Sequence, residues 1–173
     1  MPIMHLKSLI RDVPDFPKPG ILFKDITPLL ADARGFGLAI DRLADLVSPL
    51  KPAGLVAIES RGFIFGAALA QQLKLPLLPV RKPGKLPAKT VSASYQLEYG
   101  SDRVEMHADA VQGGRAYVIV DDVIATGGTA EAAARLIESQ GAQVAGCAFL
   151  IELGFLKGRE RLGSRPVASV LQY

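Results

Sequence analysis

Two carboxylates stand between an apolar run and a turn of small residues near the middle of the chain. From Val118 to Ala130 the sequence reads VIVDDVIATGGTA, which places Asp121 and Asp122 directly after a strand-like run. Glycines allow backbone N–H groups to turn inward around a phosphate, and a helix that begins at the turn adds the positive end of its dipole. The predicted phosphate cradle consists of Ala125, Thr126, Gly127, Gly128 and Thr129.

The carboxylates decide what this turn would bind. No lysine follows the glycines, so the segment is not a P-loop, and it contains no dinucleotide fingerprint. Two carboxylates beside a phosphate repel it unless they bind hydroxyls or act with a cation, and a sugar diol fits between them and the phosphate. The plainer interpretation is a strand end with solvated aspartates and a capped helix, but the paired carboxylates favour a sugar-phosphate site.

Two further segments carry positive charge. The turn Glu59-Ser60-Arg61-Gly62 follows an apolar run, and the Arg61 guanidinium could bind a second anionic group in a bidentate fork. By itself this turn is typical of an ordinary helix start. Arg81, Lys82 and Lys85 lie in a loop rich in glycine and proline, which is either solvated or a mobile lid that closes over a polyphosphate.

The elements that must position these residues follow from hydrophobic periodicity. Short, wholly apolar runs predict buried strands, and apolar residues at helical spacing predict helices. We expect strands over 55–58, 77–80, 116–120 and 144–151, helices over 4–13, 36–47, 63–73 and 129–140, and a hairpin of 95–98 with 104–107. The alternation predicts a doubly wound α/β fold with a parallel sheet, whose ligands bind at the carboxyl ends of the strands.

Length and composition exclude several classes of protein. The chain has 173 residues, which favours one domain, and a single cysteine excludes a disulfide framework and a cysteine-based zinc cluster. A net charge of +3 and no interleaved aromatics argue against nucleic-acid binding. No apolar run approaches the ~20 residues of a membrane span, and no signal peptide is visible, so we expect a cytoplasmic protein without a membrane partner.

The run from Val118 to Ala130 resembles the phosphoribosyl-diphosphate signature of the type I phosphoribosyltransferases. The resemblance extends over the full chain, and the stretches that match members acting on adenine are 16–28, 59–63, 81–87, 94–100 and 170–173. It implies one domain over 1–173, with an N-terminal hood (1–33) and a mobile lid loop and hairpin (81–107). It also implies a magnesium-dependent purine salvage reaction in which adenine and phosphoribosyl diphosphate give AMP and diphosphate, in a homodimer.

The resemblance also implies a role for each matching residue. Asp121 and Asp122 would hold the ribose hydroxyls, and the turn from Ala125 to Thr129 would hold the 5-phosphate. The diphosphate site would be formed by Glu59, Ser60, Arg61, Gly62, Arg81, Lys82 and Lys85, with a non-proline cis peptide in the first of its loops and Arg81 reaching across the dimer. Leu22, Phe23 and Lys24 would form the hood over adenine. Glu98 would be the acid/base group at the base, with Tyr99 on the lid. No protein side chain would bind the metal directly.

Two alternatives stay open on the residues alone. The same chemistry on guanine, hypoxanthine or xanthine would use the same sugar-phosphate site. A regulatory protein that senses phosphoribosyl diphosphate would also keep that site, but this chain has no visible DNA-binding element, and it retains Glu98 and the charged lid.

Overall fold

The computed structural model describes residues 3–96 and 100–173, with side chains from residue 6 onward. The chain forms two compact units, residues 1–42 and 43–173. The organisation as one domain with a hood over 1–33 and a lid over 81–107 stays a prediction.

The N-terminal unit is built around a small hairpin. Its elements are α1 (Ile3–Ser8), β1 (Arg11–Pro14), β2 (Leu22–Asp25), α2 (Thr27–Ala31) and the start of α3 (Ala33–Val47). The predicted helix over 4–13 is therefore wrong beyond Ser8, because Arg11–Pro14 pairs antiparallel with β2 from Arg11↔Asp25 to Pro14↔Leu22. Pairing between residues 8 to 14 positions apart is an interaction that local periodicity does not reveal.

The second unit carries the large sheet. In chain order its elements are β3 (Leu55–Ile58), α4 (Arg61–Leu73), β4 (Leu77–Val80), β5 (Thr90–Gln96), β6 (Ser101–His107), β7 (Ala116–Ile124), α5 (Gly128–Ser139), β8 (Gln143–Glu152), α6 (Gly158–Arg161) and β9 (Val167–Gln172). The strand order is β4-β3-β7-β8-β9, and all four pairings are parallel. This confirms the predicted α/β fold with a parallel sheet.

Four strands differ from the predicted bounds: β7 ends later, β5 and β6 begin earlier, and β8 is one residue longer at each end. β7 does not stop at Val120 but continues to Ile124, because Asp121 pairs with Phe149 and Ile124 with Glu152 on β8. In the hairpin, β5 begins at Thr90 and pairs with β6 from Thr90↔His107 to Gln96↔Ser101. The mostly small and polar residues at the start of β5 have weak strand character alone and gain their ladder from β6.

The core fills the space around β3 and β7. All four side chains of β3 are buried, and α4 packs on β3 and β7. α5 packs on β7, β8 and both hairpin strands, and its small buried residues Ala132–Ala134 permit close approach. Cys147 on β8 is a buried core residue, and its burial raises the pKa of its thiol to about 12. Within residues 3–96 and 100–173, no helix has both the length and the apolar character needed to cross a bilayer.

Candidate active site

The turn between β7 and α5 forms an open pocket of about 350 Å³ at the carboxyl end of the sheet. It is lined by Asp121, Val123, Ile124, Ala125, Thr126, Gly127, Gly128, Thr129 and Ala130. Six of the seven residues predicted to bind the phosphoribosyl group therefore surround one cavity, and the seventh, Asp122, is buried beside it. The first N–H groups of an α-helix have no partner within the helix, so the start of α5 offers donors to an anion here.

A second segment supports this turn from behind. Gly127 has a φ of +82°, and a Cβ atom built on it would lie 2.3 Å from the carbonyl oxygen of Gly158. A Cβ on Gly158 would lie 2.3 Å from the carbonyl oxygen of Ala125. The start of α6 thus packs backbone to backbone against the turn. Sequence reasoning missed Gly158, since nothing local in Lys157-Gly158-Arg159 marks it as part of a site.

The two carboxylates have different surroundings because successive side chains of a strand point to opposite faces. Asp121 lines the pocket, whereas the Asp122 side chain is only 6% exposed and its Oδ2 lies 2.7 Å from Arg61 Nε, close enough for an ion pair but without hydrogen-bond geometry. Burial, and next the negative charge of Asp122, raise the pKa of Asp121 well above its usual value. The Asp121 carboxyl in the pocket therefore holds its proton unusually well, whereas the Asp122 carboxylate beside the pocket is paired with the charge of Arg61.

The turn after β3 lies against the same strand end. The Glu59–Ser60 peptide is cis, as the resemblance implied, and α4 begins at Arg61. A Cβ atom built on Gly62 would lie 2.7 Å from Asp121 Oδ1 and 3.1 Å from the carbonyl oxygen of Val120. Only glycine permits this approach, so the two predicted anion-binding turns meet beside Asp121.

The cationic segment from Arg81 to Lys85 contacts this turn through Glu59. The Glu59 carboxylate accepts hydrogen bonds from Arg81 Nε (3.3 Å), from the backbone N–H of Lys82 (2.9 Å) and from Lys85 Nζ. Burial alone would raise the pKa of Glu59, but the Lys85 and Lys82 hydrogen bonds outweigh it and hold that pKa below its usual value. Glu59 is thus a charged acceptor at the centre of the cations.

The hairpin holds the other side of the segment. Lys82 Nζ donates to Tyr95 Oη (2.9 Å) and to Asp102, and Tyr95 Oη donates to Asp102 Oδ2 (3.0 Å). These hydrogen bonds offset burial and raise the pKa of Lys82. No local pattern marks Tyr95 or Asp102 as part of the site, because the hairpin register that brings them together is non-local.

The remaining predicted residues belong to the N-terminal unit or fall outside the described residues. Leu22, Phe23 and Lys24 are on β2 of the N-terminal unit, where the Phe23 ring packs edge-on against Phe16 at 5.1 Å and Lys24 Nζ donates to Asp12 Oδ1 at 2.6 Å. Glu98 and Tyr99 lie outside the described residues. The roles assigned to them stay predictions.

The donor set bears on magnesium. Among residues 6–96 and 100–173, no three His, Cys, Asp or Glu side chains are grouped so as to hold a metal ion. Magnesium is commonly bound through one or two carboxylates together with substrate phosphates and water. Asp121, the carboxyl that lines the pocket, fits a magnesium that arrives with a diphosphate substrate and is held mainly by substrate and water oxygens, and not one held in a protein cage.

Comparison with known proteins supplies the family context. The sequence model of the phosphoribosyl transferase domain family matches residues 29–166 of this chain. An adenine phosphoribosyltransferase of Synechococcus sp. is 59% identical over 98% of this chain and 99% of its own length. The crystal structure of adenine phosphoribosyltransferase from Thermoanaerobacter pseudethanolicus superposes with a TM-score of 0.97, at 50% identity over 99% of this chain and 100% of that one. The Saccharomyces cerevisiae enzyme, complexed with an imino-altritol bisphosphate and adenine, has a TM-score of 0.92 at 42% identity, covering 98% of both chains.

Proposed function

Because this chain belongs to the adenine phosphoribosyltransferases of the phosphoribosyl transferase domain family, we propose how its residues carry out that reaction. The enzyme joins adenine to 5-phosphoribosyl 1-diphosphate and forms AMP and diphosphate, a step of purine salvage. The observation that supports our assignment of residues is the pocket after β7, which gathers Asp121 and the whole turn from Ala125 to Thr129.

We assign the 5-phosphate to the turn and the ribose to the carboxylates. The N–H groups at the start of α5 donate to the phosphate, with Thr126 and Thr129 adding hydroxyl donors. Asp121, which lines the same pocket as the turn, binds the ribose hydroxyls. Asp122 contributes with Arg61, since its Oδ2 lies 2.7 Å from that guanidinium.

The diphosphate leaves toward the cations. Breaking the bond between sugar and diphosphate builds positive charge on the ribose and negative charge on the leaving group, so fixed charges of the right sign lower the barrier. Gly62 lies against Asp121 and Arg61 pairs with Asp122, and Lys82 and Lys85 contact the same turn through Glu59. Magnesium bound by substrate oxygens supplies further neutralisation of the diphosphate.

Adenine loses a proton as its ring nitrogen attacks, and we assign that proton to Glu98. A positioned acid/base group typically contributes about 10²–10⁴-fold to the rate. The hood residues Leu22, Phe23 and Lys24 would read the base through backbone polar groups, which are the same whether position 24 is lysine or arginine. Closure of the lid that carries Tyr99 would exclude water, the competing nucleophile.

Substitution of Glu98 tests this assignment. We expect Glu98→Ala to lower kcat with adenine by about 10²-fold or more while the KM for phosphoribosyl diphosphate changes little. Glu138→Ala, which removes a carboxylate hydrogen-bonded to Arg165 on another surface of the same unit, is the matched control. Adenine turnover that survives in Glu98→Ala would remove Glu98 from the mechanism.

Base choice and assembly need separate measurements. Adenine, guanine, hypoxanthine and xanthine are offered in separate parallel assays with phosphoribosyl diphosphate and magnesium. AMP should form from adenine, and guanine, hypoxanthine and xanthine should be turned over far more slowly. Turnover of an oxopurine would keep the sugar-phosphate site and overturn the base assignment, whereas saturable binding without turnover would indicate a sensor. We also propose a cytoplasmic homodimer in which Arg81 reaches the partner's site, for which light scattering should give twice the chain mass of 18.4 kDa.

A further inference from the structure

Glu59 makes contacts that its predicted place in the diphosphate site does not explain. Its side chain is only 11% exposed, and both carboxylate oxygens are engaged by the segment from Arg81 to Lys85. One oxygen accepts from Arg81 Nε and the Lys82 backbone N–H, and the other accepts from Lys85 Nζ. A carboxylate has no donor to offer, so it cannot bind an anionic diphosphate directly.

We propose that Glu59 is a positioning residue that fastens the Arg81–Lys85 segment to the turn bearing Arg61, so that Lys82, Lys85 and Arg61 face one diphosphate. The inference rests on the proposed function. It assigns Glu59 an action through Lys82 and Lys85, and not a contact with substrate.

The other anchors of the segment make Glu59 the link between two elements. On the hairpin side, Glu105 Oε2 accepts from the Gly84 N–H at 3.1 Å, and Arg81 exchanges backbone hydrogen bonds with Glu105 at 2.9 and 2.8 Å. Asp102 and Tyr95 hold Lys82 Nζ. All of these tie the segment to β5 and β6. Among the described contacts of the segment, the hydrogen bonds of Glu59 tie it to the turn between β3 and α4, and Arg81 also lies over the Phe63 ring of α4 at 6.0 Å.

Two effects of removing the Glu59 charge have opposite signs. Loss of a negative charge beside the cations should by itself strengthen diphosphate binding. With glutamine at position 59, an amide NH2 group replaces one acceptor oxygen, which removes the hydrogen bond from Lys85 Nζ and weakens the other two. The segment, which contains Gly84, must then be ordered each time the substrate binds, which weakens binding. We expect the second effect to dominate, since the charges of the exposed cations are screened by water whereas the Glu59 side chain that holds the segment is only 11% exposed.

The direction of the KM change therefore tests the proposal. AMP formation is measured with the full chain at saturating adenine and varied phosphoribosyl diphosphate, for the wild type, Glu59→Gln, Glu59→Asp and the control Glu138→Gln. We expect Glu59→Gln to raise the KM for phosphoribosyl diphosphate at least tenfold and the KM for adenine less than twofold, with Glu138→Gln at wild-type values. Glu59→Asp keeps the charge but is one methylene shorter, so its KM for phosphoribosyl diphosphate should lie between those of the wild type and Glu59→Gln.

A double-substitution cycle distinguishes positioning from direct contact. If Glu59 acts through Lys85, Glu59→Gln should add less than threefold to the KM of a Lys85→Met variant, because the bond it removes is already lost. Titration calorimetry with diphosphate and magnesium as the probe should give the same pattern in Kd. An unchanged or lower KM in Glu59→Gln, or effects that multiply in the double variant, would overturn the proposal.

The controls keep this outcome separate from the proposed function. A wild-type protein that forms no AMP from adenine would overturn the proposed function, whereas an active wild type with a Glu59→Gln variant of equal KM would overturn only the role of Glu59. Thermal unfolding identifies a variant that does not fold. If Glu59→Gln fails to fold, the charge-retaining Glu59→Asp variant decides the question by its KM, since unchanged use of phosphoribosyl diphosphate would contradict the positioning role.

Discussion

Replacing Gly127 by alanine should damage both stability and substrate binding. Alanine at a φ of +82° costs about 1 kcal/mol relative to glycine. Its Cβ would also lie 2.3 Å from the carbonyl oxygen of Gly158, so that carbonyl must move by roughly 1 Å to restore ordinary contact. Overpacking against well-packed surroundings typically costs about 1–3 kcal/mol, which brings the expected loss to about 2–4 kcal/mol.

Urea unfolding at fixed protein concentration measures this loss, and the KM for phosphoribosyl diphosphate should rise at least tenfold because the displaced turn carries the phosphate donors. Gly114→Ala is the matched control, since Gly114 has a similar φ of +77° but no atom within 4 Å of the added Cβ. It should lose about 1 kcal/mol through backbone conformation alone. If Gly127→Ala loses no more free energy of unfolding than Gly114→Ala, the close packing of α6 against the turn is refuted.

Two further substitutions test the electrostatics of the sheet end. Burial and the charge of Asp122 raise the pKa of Asp121, so the folded state keeps a proton that the unfolded chain releases near pH 3.8, and stability should fall as the pH rises through the window up to the raised pKa. Asp121→Asn should flatten that decline in urea unfolding while raising the KM for phosphoribosyl diphosphate, and a variant with wild-type pH dependence would contradict the raised pKa. Glu152 accepts hydrogen bonds of 2.7 Å from Arg159 Nε, Arg159 Nη2 and Ser169 Oγ, and the Arg159 hydrogen bonds lower its pKa. Glu152→Gln should cost about 1–3 kcal/mol near neutral pH, and because the wild type loses this stabilisation as the pH falls from 4.5 through the lowered pKa, the difference should shrink in acid; a constant difference would show that the charge contributes nothing.

The central strands of the sheet were predictable because they are buried on both faces, whereas the edge strand Val167–Gln172 was not predicted. Leu55–Ile58 and Leu77–Val80 have the bounds expected from sequence, since each is a short apolar run ended by polar or turn residues. The hairpin start at Thr90 and the strand at Arg11–Pro14 were not predicted, because both take their hydrogen bonds from partners remote in sequence. Local patterning records burial well and strand pairing poorly.

The site shows the same division. The turn from Ala125 to Thr129 is contiguous in sequence and was predicted to bind a phosphate. The structure places all five of its residues around the pocket. Gly158 supports it from a distant segment, and Asp102 and Tyr95 hold Lys82 from another. Each of these supporting contacts joins residues more than ten positions apart, so no spacing rule indicates them.

The different placement of the Asp121 and Asp122 side chains was predictable in part from the sequence. Adjacent residues on a strand direct their side chains to opposite sides, and Asp121 lines the pocket whereas Asp122 does not. β7 continues unbroken through both, and its alternation directs Asp121 to the pocket and Asp122 to Arg61. Because the Arg61 guanidinium faces Asp122 Oδ2, a ribose hydroxyl would bind Asp122 through Oδ1 or share Oδ2 with that guanidinium. The ion pair therefore joins the end of β7 to the turn at which α4 begins.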